Sequence, residues 1–440
     1  MRGQIILIAI FSATAAMAQA PQGNTEAAPT TQMATPPPVS GVNYATQVGF
    51  EVRRNYLRGG ITYTTSYIDN YFANSGSTSV AETTISVLPT IAYDTTTARQ
   101  HAVFTYSPGF TFYRPSSALN EVDNLATVDY DFRLTAHTAI NVVEKFQDSS
   151  SPLVPSEDGE NGSVSGAPVS STPGVTPPFA KRLTNFVNAE ITMQTGLNDM
   201  IGVSGLSTVL HYPNPSQTPN LYDSSSRGGT AFYSHRVSAS QYIGVTYQFM
   251  DLLTTPTGSE STTGTSTVMG YYTIYPKARL SLSAAIGPQY YQVTETAMPT
   301  SSSWGPSAST SMGWQSGRAS FAAGYSQSVT GAGGLLGAYH TRSASASVRW
   351  QLAHTWTAGA SGSYSINKSV SSMLPTAAGN GHSVSGSATL QHPIRGHVSV
   401  TLNYDRAHQS YGEVAAIAAN PDVDRVSISI TWDFLRPLGK

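Results

Sequence analysis

The feature that most limits how this chain can fold is a strict alternation of short and long connections between segments of two-residue period. Short turns fall near Thr95–Arg99, His137–Thr138, Gly196–Asp199, Ala239–Ser240, Pro276–Ala278, Ser316–Arg318, Ala353–His354 and Pro393–Arg395. Longer polar stretches rich in Pro, Gly and Ser lie near Ala73–Val80, Arg114–Asp123, Ser149–Arg182, Pro213–Arg227, Thr254–Thr265, Val293–Ser303, Thr330–Ala338, Lys368–Gly381 and Gln409–Asp422. Eight turns and nine loops separate about 18 segments, with 16 to 18 strands expected and the number even. Antiparallel hairpins joined in this way form an up-and-down transmembrane barrel, with turns on one side of the membrane and loops on the other. Sandwiches and propellers give no reason for such alternation.

The segments themselves carry the pattern. In Val426 to Phe434, Val426, Ile428, Ile430, Trp432 and Phe434 share one parity, and Ser427, Ser429, Thr431 and Asp433 the other. Side chains alternate across a strand, so one face is apolar and the other polar. From Asn124 to Ala136, Ala126, Val128, Tyr130, Phe132 and Leu134 oppose Thr127, Asp129, Asp131, Arg133 and Thr135. Three charges on one face suit a water-filled lumen better than a sandwich core. Leu183–Thr195 and Ala344–Leu352 repeat the pattern, whereas Ala139–Gln147 and Met200–His211 alternate less cleanly. Tyr93, Tyr275, Trp314, Trp350, Trp356, Trp432 and Phe434 fall near the turn ends of their strands, and Tyr71, Phe112, Tyr290 and Trp304 near the loop ends. These are the two interfacial girdles that a membrane barrel requires. Trp432 and Phe434, closing an amphipathic last strand, resemble a barrel-assembly signal, although Leu435–Lys440 follow them.

Composition narrows the class. Charged residues are 11% of the chain and the net charge is −2, which gives no reason to expect nucleic acid as a partner. Cysteine is absent, which excludes disulfides, thiolate metal sites and cysteine catalysis. Residues 1–18 read as a signal peptide: Arg2, an apolar run Ile5–Phe11, and a small-x-small site at Ala16-Met17-Ala18 or Ala18-Gln19-Ala20. Residues 19–45, with Pro36-Pro37-Pro38, read as a Pro/Ala/Thr-rich periplasmic linker, and 46–440 as the barrel. No stretch reaches the roughly 20 apolar residues of a spanning helix. A membrane location therefore requires a closed barrel, which alone among sheets satisfies its backbone in lipid.

From about Gly59 onward the chain resembles β-barrel porins of Gram-negative bacteria, most of all uncharacterised acidobacterial outer-membrane barrels. The stretches that carry the resemblance are Tyr106-Ser-Pro-Gly-Phe-Thr-Phe-Tyr113, His211-Tyr-Pro-Asn-Pro215, Val329-Thr-Gly-Ala-Gly-Gly-Leu-Leu-Gly337 and Arg436-Pro-Leu-Gly439. The resemblance implies an outer-membrane barrel with a porin-like role, and brings no substrate or functional residues with it. Some relatives of this kind accompany exopolysaccharide export, which implies a structural or export-linked barrel without an open pore as the second reading. Lipid, the barrel-assembly machinery, periplasmic chaperones, small hydrophilic solutes and a further copy of the chain are the partners to expect.

No enzymatic constellation stands out. Gly202-Val203-Ser204-Gly205 lacks nucleophile-elbow spacing, and His392 and His397 merely flank a turn. No catalytic group, cofactor or metal is expected. Function should instead sit on the lumen wall, where parity places Asp129, Asp131, Arg133, Glu190, Arg236, Arg349 and Asp405. Their mixed signs would oppose acidic to basic walls and set a field across the pore. The longest loop, Ser149–Arg182, with Glu157, Asp158 and Glu160, is the candidate constriction, since familiar porins fold their third loop into the lumen.

Overall fold

The computed structural model describes residues 54–73, 80–150, 180–214, 221–255, 260–277, 279–296, 298–331, 337–353, 355–370, 380–412 and 421–437. The expected signal peptide, linker and acidic loop residues Glu157, Asp158 and Glu160 lie outside the described residues. Eighteen strands follow in chain order: β1 (Arg54–Ile68), β2 (Glu82–Thr96), β3 (Gln100–Arg114), β4 (Glu121–Arg133), β5 (Thr138–Ser149), β6 (Arg182–Gln194), β7 (Asp199–His211), β8 (Asp223–Ser238), β9 (Gln241–Thr255), β10 (Ser261–Lys277), β11 (Leu280–Glu295), β12 (Ser301–Gln315), β13 (Ala319–Gly331), β14 (Ala338–Gln351), β15 (Thr357–Ser369), β16 (Gly381–Arg395), β17 (Val398–Tyr411) and β18 (Asp422–Pro437). Each pairs antiparallel with its neighbour in sequence, and β1 pairs with β18, so the sheet closes on itself. The weakly alternating Ala139–Gln147 and Met200–His211 are strands like the rest.

Closure is a side-chain matter as well as a ladder. Phe434 stands opposite Gly59, and its ring occupies the space that a Cβ at Gly59 would need. Pairing runs on past Phe434 to Pro437, opposite Tyr56, so the residues after the aromatic end belong to the closing strand.

Two faces result. Val426, Ile428, Ile430, Trp432 and Phe434 are all exposed on the outside, as are Ile243, Val245, Tyr247 and Phe249 of β9. Trp314, Trp350 and Trp356 ring the short-turn end, while Trp304, its ring tilted against Tyr290 at 5.2 Å, and Phe112 stand toward the other. Strands of 12 to 17 residues exceed the roughly 9–11 that cross a bilayer. An exposed apolar belt between aromatic rings belongs in lipid, and the closed ladder leaves no seam of strand-long open edges there. The inner face is hydroxyl-rich. Cross-strand pairs such as Thr62–Thr431 (3.0 Å), Ser86–Thr111 (3.0 Å) and Thr273–Ser283 (3.0 Å) hold neighbouring strands together. Each such pair contributes about 0.2–1 kcal/mol.

Two aromatics expected in the girdles point inward instead. Tyr275 shares the parity of Met269, Tyr271 and Thr273, and packs with Met200, Phe232 and Tyr242 inside the barrel. Tyr71 follows the end of β1, where the chain turns into the lumen, and is buried against Tyr113 at a ring distance of 4.9 Å.

The outer belt makes a quantitative prediction. Ile428→Arg places a charge near the middle of the lipid face and should destabilise the folded barrel by about 2–4 kcal/mol. Ser427→Arg, on the opposite face of the same strand, should cost far less of the insertion energy. Urea titration of the vesicle-embedded protein measures both; equal losses would show that the two faces have been misassigned.

Candidate functional site

Near the short-turn end, six neighbouring strands build an ionic network on the lumen wall. Arg58 of β1 binds Asp94 of β2 at 2.5 Å. The His101 imidazole of β3 lies between Asp94 (3.4 Å) and Asp131 of β4 (3.9 Å). Asn141 of β5 donates to Asp131 at 2.9 Å and approaches Asp129 at 3.5 Å. Register then sets Asn141 opposite Glu190 of β6, a buried carboxylate. Of the seven predicted lumen residues, Asp129, Asp131 and Glu190 therefore come together, with Arg133 on the same strand as the first two. The other three stand apart. Asp405 is ion-paired with Arg425 of β18 at 2.9 Å, Arg236 turns its Nε onto the Ser238 carbonyl at 3.2 Å, and Arg349 stands on β14.

The opposite wall has another chemistry. β15 is nine strands from β6 in the ring, so the two face each other across the lumen. Ser361, Ser363 and Ser365 of β15 pair with Ser387, Ser385 and Ser383 of β16 at 2.7, 2.7 and 2.8 Å, and Ser326 pairs with Ser343 at 2.7 Å. No Asp or Glu occurs between Glu295 and Asp405, while Arg318, Arg342, Arg349, Lys368 and Arg395 do. The arc β12–β16 is thus free of carboxylates; of its cations Arg349 has lumen parity, whereas Arg342 and Lys368 share the outward parity of Val348 and Tyr364. That asymmetry could have been read from the sequence. Arg58, Asp94, His101, Asn141 and Arg425 could not, because their roles depend on register.

At the long-loop end the wall itself folds inward. The β12–β13 ladder stops at Ala308 opposite Gln327, although β12 continues to Ser301 and β13 to Gly331. Above that point the β13–β14 hairpin parts from β12 and bends inward, while β14 stays paired with β15 as far as Ser369. Val329 and Ala338 pack against Met250 and Leu252, which point inward from β9. The Val329 amide donates to Gln289 Oε1 (2.8 Å), and His340 meets the Tyr291 hydroxyl (3.2 Å). Gly305 makes room for the His340 ring, since a Cβ there would lie 3.1 Å from its Cε1. The hairpin's other face carries Tyr339 into a buried cluster with Tyr411 of β17 and with Leu210, Tyr212, Leu221 and Ala180 from the β6–β8 side. β7 is seven strands from β14 and eight from β17, so opposite walls meet through this cluster. Asn367 ties it together, donating to Tyr411 Oη (2.6 Å) and accepting from Thr341 (2.9 Å). A second cluster, with Tyr71, Tyr113, Ile68, Ala407 and Val423, fills the neighbouring sector. Burial pushes the Tyr71 and Tyr212 hydroxyls above their ordinary range, so both stay neutral.

A closed barrel with a lipid belt outside, a polar divided lumen inside and a narrowed mouth is a porin-like transmembrane barrel. No known protein family matches the chain, and no curated protein does. Among solved structures, Acinetobacter baumannii OccAB4 is similar at TM-score 0.45 and 9% identity, over 88% of this chain and 100% of that one. Pseudomonas aeruginosa OccK7 (OpdD) gives 0.42 and 10% over 88% and 99%, and the outer membrane protein OpdK of the same organism gives 0.41 and 9% over 86% and 99%.

Proposed function

We propose that the chain is an outer-membrane channel through which small hydrophilic solutes diffuse passively, without a chemical step. The observation that supports this reading best is the inner face: hydroxyl pairs and ions line a closed barrel whose outside is apolar. By the usual topology the short turns are periplasmic and the long loops extracellular. The ionic network then sits near the periplasmic mouth, and the folded-in hairpin near the extracellular one. A barrel of this strand number leaves an aqueous channel unless something fills it, so the hairpin and the aromatic clusters would set the size limit. Carboxylates on one wall, with Arg349 and the serine pairs on the other, would orient dipolar solutes in transit.

The buried clusters at the extracellular end also favour a second reading, a barrel held shut that serves a structural or export-linked role. Liposome swelling with a graded series of polyols, alongside single-channel recording in planar bilayers, separates the two. Size-dependent swelling with small ohmic steps supports the channel. Silence from protein shown to be inserted removes it and leaves the structural role.

A further inference from the structure

The interrupted β12–β13 seam has no part in vertical passage, yet apolar surfaces meet it on both sides. Just below the last paired residues, the outer face holds a groove of about 450 Å³. Ile274, Leu282, Met312, Ala323 and Tyr325 form its walls. It lies between Trp304 and Trp314 on β12, at the depth of the hydrocarbon. Just above, on the inside, sits the apolar cluster of Met250, Leu252, Val329 and Ala338. Between the two, ladder hydrogen bonds are replaced by side chains. Gln327 Nε2 reaches the Pro306 carbonyl at 3.4 Å, and the Tyr325 hydroxyl donates to Gln327 Oε1 at 3.1 Å. Side-chain bonds of this kind part at less cost than a continuous ladder. Arg342 stands opposite Gln327 at the top of the groove and is exposed, and Lys368 lies on the next strand. No carboxylate on β12–β16 offsets them.

We propose that this seam is a lateral portal through which a single-chain amphiphile with an anionic head passes between the bilayer and the lumen. The chain lies in the groove at hydrocarbon depth. The head engages Arg342 and the Gln327 amide at the interface, and the hairpin's apolar underside receives the chain inside. The inference rests on the membrane-spanning reading of the barrel, which co-flotation with liposomes checks separately from everything below.

The test uses photoreactive palmitate and a photoreactive lysophosphatidic acid, added to the full-length protein in liposomes, with adducts mapped by mass spectrometry. Adducts should concentrate on the groove strands and reach Met250 and Val329. The chain lacks cysteine, so S307C/S328C provides a reversible lock just above the last pair. When oxidised, this variant should lose the inner adducts and keep the outer ones, and reduction should restore them. Arg342→Gln should weaken labelling. Labelling by palmitate alone identifies a carboxylate as the head, and labelling by both probes an anion of either kind. Adducts spread evenly around the belt, or inner adducts indifferent to the lock, would overturn the portal.

Discussion

Val329→Asp should raise the single-channel conductance several-fold, the largest functional change expected of any single substitution here. Val329 is buried against Met250, Leu252 and Ala338. Burying its side chain stabilises the tucked hairpin by about 1.5–3 kcal/mol. An unpaired carboxylate in that site costs several kcal/mol or more, which removes the gain and reverses it. The β14–β15 ladder, which runs to Tyr339 opposite Ser369, persists in either position; the tucked position itself is held by the amide bond to Gln289, the His340–Tyr291 contact, the Tyr339 cluster and the Thr341–Asn367–Tyr411 relay. With the hairpin released, the cluster joining Tyr339 to Leu210 and Tyr212 loses its bridge across the lumen. Val329→Ala keeps the site apolar and should leave conductance near that of the unaltered protein. Equal conductance in all three proteins would show that the hairpin is not what narrows the pore.

The second large effect concerns selectivity. Asp129→Asn with Asp131→Asn should turn the channel several-fold toward anions, read as a shift in reversal potential across a salt gradient. The two carboxylates share a wall with Arg58, His101 and Arg133, whose charges they help to balance alongside Asp94 and Glu190. Neutralising them leaves cations on that wall facing Arg349 across the lumen. Charges lining a narrow aqueous path select ions by sign, and salt screens them, so the shift should shrink as ionic strength rises. Asp405→Asn is the contrasting variant. Its partner Arg425 lies 2.9 Å away, opposite Ile68 at the long-loop end of β1, whereas the network lies at the short-turn end. A reversal potential unmoved by the double substitution would place the selective charges elsewhere.

Strand number, order and face were legible in the sequence because each depends on a local period of two and on turn chemistry. Val426–Phe434 announces its two faces without reference to any neighbour. The hairpin was not legible, for the same reason. Val329 and His340 share parity with lipid-facing residues lower on their strands, and nothing within β13 signals that its upper half parts from β12. What decides the matter lies on other strands, in Met250 and Leu252 of β9 and Tyr291 of β11, and a period has no knowledge of a surface two or four strands away. Tyr275 and Tyr71 were misread by the same route: position near a strand end was taken for a girdle, while parity and a turn in the chain sent both rings inward. The ionic network lay between these cases. Asp129, Asp131 and Glu190 were visible by parity, but pairing Arg58 with Asp94 and His101 with Asp131 takes the register of four strands.

The contact of Phe434 with Gly59 joins the last strand made to the first. A ribosome that stops before Asp422 releases a chain with seventeen strands and two raw edges, each a row of amides and carbonyls that lipid cannot satisfy. Such a product could not settle in a membrane, however good its remaining hairpins. Completeness is thereby inspected at the final step by the barrel's own geometry, and insertion becomes a property of the whole chain that no fragment shares.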